Sequence, residues 1–145
     1  MTRYLRLSIV AVCALLLQYA GSPLPRVGQL ANCGPTRFVV VAATHLERVH
    51  GIQQERDFLG ANGMLFVYDE PQRPAFWMQD TQIPLGIVFF DPEYRVIGTA
   101  GMLPFTSTRH VPTSAIIAAL EVQADVDVRI TYPVGTRCTI TLPMR

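Results

Sequence analysis

Lysine is absent from this chain. All 12 basic residues are arginine, which excludes Schiff-base chemistry and a Walker-type phosphate lysine. Charge of either sign is scarce: charged side chains make up 16% of the sequence, against about 25% in ordinary globular domains. The 12 basic and 11 acidic residues leave a formal net charge of +1. No global field therefore draws the chain to nucleic acid or to an anionic membrane. The 3 cysteines form no C-x-x-C pair and no Cys/His pair, which excludes a zinc site of the ordinary type. Missing too are a G-x-S-x-G elbow, a Gly-rich phosphate loop, a coiled-coil heptad and any internal repeat. No cofactor and no metal are expected.

What is present is apolar. Hydrophobic residues make up 50% of the 145, enough for one packed domain and too many for a disordered chain. The N-terminus is set apart: Arg3 and Arg6 precede Leu7–Leu17, a run that is apolar except at Ser8, and Ala20, Gly21 and Ser22 follow. This layout predicts a signal peptide over 1–20, cleaved after Ala20. The alternative is an uncleaved anchor, although the run is shorter than the ~20 apolar residues of a spanning helix. Pro23, Pro25 and Gly28 mark a linker over 21–36, ahead of a single domain over 37–145. Export to the periplasm or beyond leaves Cys33 and Cys138 as an even pair, which predicts a disulfide; two buried thiols are the alternative.

Arg37–Ala43 is apolar and β-branched on both faces, the pattern of a buried strand. Thr44 and Glu47 then fit a capping box, so both are read as structural, with a short helix or pair of turns over 45–57. From Gly63 the period becomes two. Met64, Phe66 and Tyr68 alternate with Leu65 and Val67, as in a strand covered on both faces. A polar turn is expected over 69–74, and a strand over 75–79 with Phe76 and Met78 on one face and Trp77 on the other. Ile87–Phe90 reads as a central strand, joined through an Asp91-Pro92 turn to a hairpin partner over 95–99. Residues 116–123 fit helix or strand. Val126, Val128, Ile130 and Tyr132 have strand periodicity, and Cys138, Ile140 and Leu142 share one face of a last strand. The fold class expected is α+β and β-rich: a small antiparallel β-barrel or sandwich of six to eight strands with one short helix.

One group of motifs is more specific. Gly63-Met64-Leu65-Phe66-Val67-Tyr68-Asp69, then Phe76-Trp77-Met78-Gln79-Asp80-Thr81-Gln82-Ile83-Pro84-Leu85, then Ile87-Val88-Phe89-Phe90-Asp91 resembles the signature of domain-of-unknown-function family 192. Glu47-Arg48-Val49-His50-Gly51 resembles that family's Glu-Arg-x-x-Gly element, and Leu120-Glu121-Val122 its late Leu-Glu motif. The resemblance spans residues 38–141. It implies a compact, barrel-like β-rich fold and carries no established activity. Within it, Gly63, Met64 and Pro84 are read as structural. The family usually has Asp after Pro-Leu, where this chain has Gly86, so a carboxylate at that position is missing here.

Candidate chemistry is thin. His45, Glu47 and His50 give H-x-E-x-x-H, but the two histidines would lie about 140° apart on a helix, and a zincin needs i and i+4. Ser107 and His110 sit in a polar loop and are read as loop residues. Met64, Met78 and Met102 could offer thioethers to Cu(I); without a Met-x-x-Met or His-Met cluster, core packing is preferred. The ligand-binding candidates are Trp77, Met78, Asp80, Thr81 and Glu121. The reading that results is an exported binding or accessory module for a small molecule, sugar or peptide, or for an envelope component. No nucleic acid is expected as partner, and no membrane contact except through an uncleaved leader. A hydrolase of envelope or extracellular polymer, using Asp80, Thr81 and Glu121, is the first alternative, and a copper-binding protein the second. A carboxylate pair in one cleft would favour the enzyme, and a concave aromatic pocket the binder. Trp77 itself is either a surface plate beside Asp80 and Thr81 or simply core.

Overall fold

The computed structural model describes residues 25–53, 57–124 and 127–144; the leader expected over 1–20 lies outside them. Seven strands form one mixed sheet: β1 (Val27–Ala31), β2 (Phe38–Ala42), β3 (Met64–Gln72), β4 (Leu85–Phe90), β5 (Val96–Met102), β6 (Ile116–Gln123) and β7 (Thr139–Thr141). Two short helices, α1 (His45–His50) and α2 (Val128–Thr131), complete the described elements. The strand order is β5-β4-β6-β3-β2-β1-β7. Every pairing is antiparallel except β2 with β3, which is parallel. The sheet curls into a half-barrel, whose edge strands meet at one end through the Arg95–Arg137 bridge. There Val96 N–H donates to Thr136 and Cys138 N–H to Tyr94, both at 2.9 Å.

Period-two alternation sends apolar side chains to both faces, and both are buried. On one face Val39, Leu65, Val88, Phe90 and Leu120 pack with Val128 and Tyr132. The Cys33–Cys138 disulfide, predicted from the even pair, joins this cluster with sulfurs 2.04 Å apart. Thr36 and Tyr132 share a buried hydroxyl–hydroxyl hydrogen bond of 2.6 Å beside it. On the other face Met64, Phe66, Tyr68, Ile87 and Phe89 meet Phe76 and Met78 from the segment before β4, and Ile52 and Phe58 from the turns after α1. The strand covered on both faces is therefore β3, as its sequence indicated.

Several local expectations change. The stretch expected as a linker over 21–36 contains β1, which pairs with both β2 and β7. The polar segment 69–74 is not a turn: β3 runs on to Gln72, which pairs with Ile116 after a register shift. That irregularity accommodates Pro71, which has no N–H for a regular ladder. Residues 75–79 make one bridge, Phe76 to His110, in place of a strand. Residues 116–123, left open as helix or strand, form β6 in the middle of the sheet. The strand pattern around 126–132 gives way to α2, because Asp127 caps it by accepting from Arg129 N–H and Pro133 blocks extension. Its period two was accidental, since Val128 is buried and Ile130 is 78% exposed. The capping box is as expected: Thr44 accepts from Glu47 N–H, and Glu47 accepts from the Thr44 and Ala43 amides. The helix behind it ends at Gly51 and a turn over 51–53 follows, as the reading of a short helix or pair of turns allowed. Burial draws the Glu47 carboxyl upward, but the Thr44 and Ala43 amides, the Thr44 hydroxyl and Arg26 outweigh it and hold the group at about 2. The hairpin after Asp91 closes with Tyr94 N–H donating to Asp91 and Tyr94 at φ 57°, a type I turn followed by a left-handed residue.

Two predictions follow from how the second helix and the disulfide close one face. A Cβ on Gly86 would lie 2.0 Å from Val128 Cγ1, so Gly86→Ala should destabilise the protein by about 1–3 kcal/mol in urea unfolding. Adding Val128→Ala should recover most of that loss; no recovery would contradict the packing. The disulfide closes a span of 105 residues, and the Cys33→Ser/Cys138→Ser variant should lose about 2–4 kcal/mol. Non-reducing peptide mapping that finds two free thiols would contradict the bond.

Candidate functional site

A cavity of about 270 Å³ opens on the face of β3 and β6 that Phe76 and Met78 partly cover. Its aromatic walls are Phe66 and Tyr68 from β3 and Phe76 and Trp77 from the segment before β4. Phe76 is fixed edge-on to Phe66, with ring centres 5.3 Å apart. Period two places Phe66 and Tyr68 on one face of β3. The backbone exchange between Phe76 and His110, at 3.0 and 2.8 Å, holds the next segment across it. Trp77 stands at the rim, 37% exposed, with the Arg109 guanidinium 5.1 Å from its ring centre. Phe76 and Met78, its neighbours in sequence, are buried. The alternation expected of this segment therefore holds, and Trp77 is not core.

Glu121 lies in the cavity wall and is 5% exposed. It sits mid-sheet on β6, opposite Met64 of β3 and Ile87 of β4, so both cross-strand neighbours are apolar. Its carboxyl receives no hydrogen bond and no salt bridge from the described residues, and burial pushes its pKa up to about 8. The acid is therefore neutral at pH 7. Gly63 permits this arrangement, because a Cβ there would fall 2.5 Å from the Glu121 carbonyl oxygen. Thr81 lines the same cavity and is 3% exposed. Its backbone is engaged by Met78 and Phe105, while its hydroxyl has no partner among the described residues.

The mouth is basic. His45, Arg48 and His50, all from α1, border it. One Arg48 terminal nitrogen donates to the carbonyls of Ala43 and Val67, and its guanidinium carbon lies 4.9 Å from the centre of the Tyr68 ring. Burial lifts the Tyr68 hydroxyl out of its ordinary range; Arg48 opposes the shift and Glu121 adds to it. Tyr68 thus stands between a cation at the mouth and an acid at the floor.

Of the five ligand-binding candidates, Trp77, Thr81 and Glu121 meet in this cavity. Met78 is fully buried in the core, and Asp80 is exposed at φ 59° outside the lining. Phe66, Tyr68, Phe76 and Arg48 went unassigned as site residues, since period two marked the aromatics as core and nothing in the spacing of Arg48 tied it to Glu121. Gly86 explains the missing family carboxylate. It faces Val128, whereas its neighbour Ile87 shares a face with Glu121, so an acid at 86 would project away from the cavity. Among the described residues Glu121 is the one carboxylate-bearing side chain in the lining, and no group of three or more His, Cys, Asp or Glu could hold a metal.

The family model of domain-of-unknown-function family 192, described as "Uncharacterized ACR", matches residues 30–140. The chain belongs to this family. A protein of unknown function from Novosphingobium aromaticivorans DSM 12444 is a structural match at TM-score 0.64 and 24% identity, over 79% of this chain and 83% of its own. A candidate transcription regulator from Sinorhizobium meliloti 1021 matches at TM-score 0.68 and 20% identity, over 81% and 95%. At these identities the likeness is one of fold. Among proteins of curated function, none matches the chain.

The raised Glu121 pKa has a thermodynamic sign. Between 4.5, its ordinary value, and about 8, the folded chain keeps a proton that the unfolded chain has lost. Stability therefore falls as pH rises through that window, by an amount on the order of a few kcal/mol. Urea unfolding from pH 5 to 8 should show wild type losing stability relative to Glu121→Gln. Parallel profiles would mean that Glu121 ionises normally.

Proposed function

We propose that this member of the family is an exported binding module for a small organic ligand, with the cavity between β3, β6 and the Phe76–Trp77 segment as its site. The single observation that carries the reading is a carboxyl in the wall of an aromatic-lined cavity, with no donor among the described residues. A polar group that the protein leaves without a partner at a cavity wall is open to a partner from a ligand. A fold that needed only packing there would keep an apolar residue. Thr81 offers a second unspent group in the same cavity, and Trp77 a plate at its rim. Apolar walls with a few converging polar groups are the usual anatomy of a ligand pocket. The hydrolase alternative has less support, since paired-carboxylate chemistry needs a second acid and Asp80 lies outside the lining. The copper alternative loses Met78 to the core.

Export is part of the proposal. It is supported by the leader-like layout of 1–20 and by the Cys33–Cys138 bond, which suits an oxidising compartment. Among the described residues no helix is long and apolar enough to cross a membrane.

Trp77 is the only tryptophan, so its emission reports on the rim without labelling. In a titration panel of hexoses, amino sugars, dipeptides and alkylamines, at least one class should shift that emission saturably and raise the melting temperature. Thr81→Val/Glu121→Leu should weaken the response at least tenfold. A panel in which no class moves either signal, or in which the double variant responds like wild type, would overturn the proposal.

A further inference from the structure

We infer that the ligand of this cavity presents a protonated amine, which seats on the Glu121 carboxyl among the rings of Phe66, Tyr68, Phe76 and Trp77. The inference rests on the proposed binding function and narrows its ligand class.

A neutral ligand would be served as well by a glutamine or a second hydroxyl at this position. A buried ionisable group without a partner is unfavourable once charged, and that cost is offset when a ligand brings the opposite charge and N–H donors. Aromatic ring faces carry negative potential and attract cations within about 6 Å of their centres. Four rings and one acid line this space, and no cation among the described residues pairs with the acid. From β3 and β4 the cross-strand neighbours are Met64 and Ile87, both uncharged. Tyr68 of β3 contributes a phenol that burial keeps neutral. From α1 come His45, Arg48 and His50 at the mouth. At the rim Arg109 lies over the Trp77 ring; among the described residues of the lining the permanent cation is Arg48. Its charge is committed to the Ala43 and Val67 carbonyls and to the Tyr68 ring, and it does not lower the Glu121 carboxyl.

At pH 7 the empty site holds Glu121 as a carboxylic acid. When an ammonium group binds, the acid ionises and its proton passes to the buffer, so one proton is released for each amine bound.

Benzylammonium, benzyl alcohol and benzoate form a probe set of nearly one shape with charges of plus one, zero and minus one. They would be titrated into the full chain by calorimetry at pH 7 in two buffers of different ionisation enthalpy. Benzylammonium should bind at least tenfold tighter than the other two with release of nearly one proton, and Glu121→Gln should abolish both the preference and the release. The variant keeps the neutral state of the folded protein, and the selectivity of wild type is readable without it. Benzyl alcohol binding as tightly as benzylammonium, with Glu121→Gln affecting neither, would overturn the amine and leave the binding site standing. Tightest binding of benzoate, lost in Arg48→Gln, would place the charge recognition at the mouth and also overturn it. Failure of all three probes to bind would overturn this inference, and silence across the ligand panel as well would remove the binding function.

Discussion

Apolar side chains leave both faces of the inner strands β3, β4 and β6, so neither face of the sheet can be left to water. With the hydrophobic effect at roughly 25 cal/mol per Å² of apolar surface buried, each face requires a cover, and the chain supplies two unlike ones. One face is closed tightly by α2, Tyr132 and the Cys33–Cys138 bond. Close approach there depends on Gly86, which leaves room for Val128. The other face is covered by irregular segments, the turns after α1 and the Phe76–Met78 stretch. These segments fix their own backbone through a few bridges and do not fill the space above β6. The cavity is the remainder.

Placing Glu121 under that gap gives the cavity its chemistry. A carboxyl in the middle of a sheet, opposite Met64 and Ile87, has no donor among the described residues, and burial favours its neutral form. The same residue at a sheet edge would be an ordinary solvated acid. The site therefore arises from a sheet position and from a cover that stops short of it, more than from any local motif. The basic mouth is a separate feature, held by α1, whose start is fixed by the Thr44–Glu47 capping box and by the Arg26–Glu47 ion pair at 2.6 Å. Anything that loosened the cap would shift Arg48 and the histidines while leaving the Glu121 floor in place.

Much of this was legible in the residues. Continuous apolar runs located β2 and β4, alternation located β3, the Thr44 and Glu47 spacing located the start of α1, and the even cysteine pair located the disulfide. Trp77, Thr81 and Glu121 could be singled out as short-range candidates, and they do meet. Local patterns failed where a tertiary partner decides the outcome. Val126 to Tyr132 alternates like a strand, yet Asp127 and Pro133 enclose a helical turn that Gly86 invites onto the sheet. Ala75–Gln79 alternates like a strand and indeed buries Phe76 and Met78, but it finds only His110 and Thr106 to pair with. The contribution of Arg48 and the aromatic walls required the parallel β2–β3 pairing, which brings α1 alongside Tyr68 and which no spacing in the sequence announces.

Glu121 stands as a neutral acid in an open cavity, without a partner among the described residues. The most direct measurement is the ¹³C carboxyl shift of Glu121 by NMR, followed as a function of pH in the empty protein and compared with Gly63→Ala, which disturbs its strand contact. Wild type should titrate with a midpoint near 8, displaced in the variant. A wild-type midpoint between about 4 and 5, the range of a solvated glutamate, would show instead a hydrated or paired carboxylate that is charged at neutral pH.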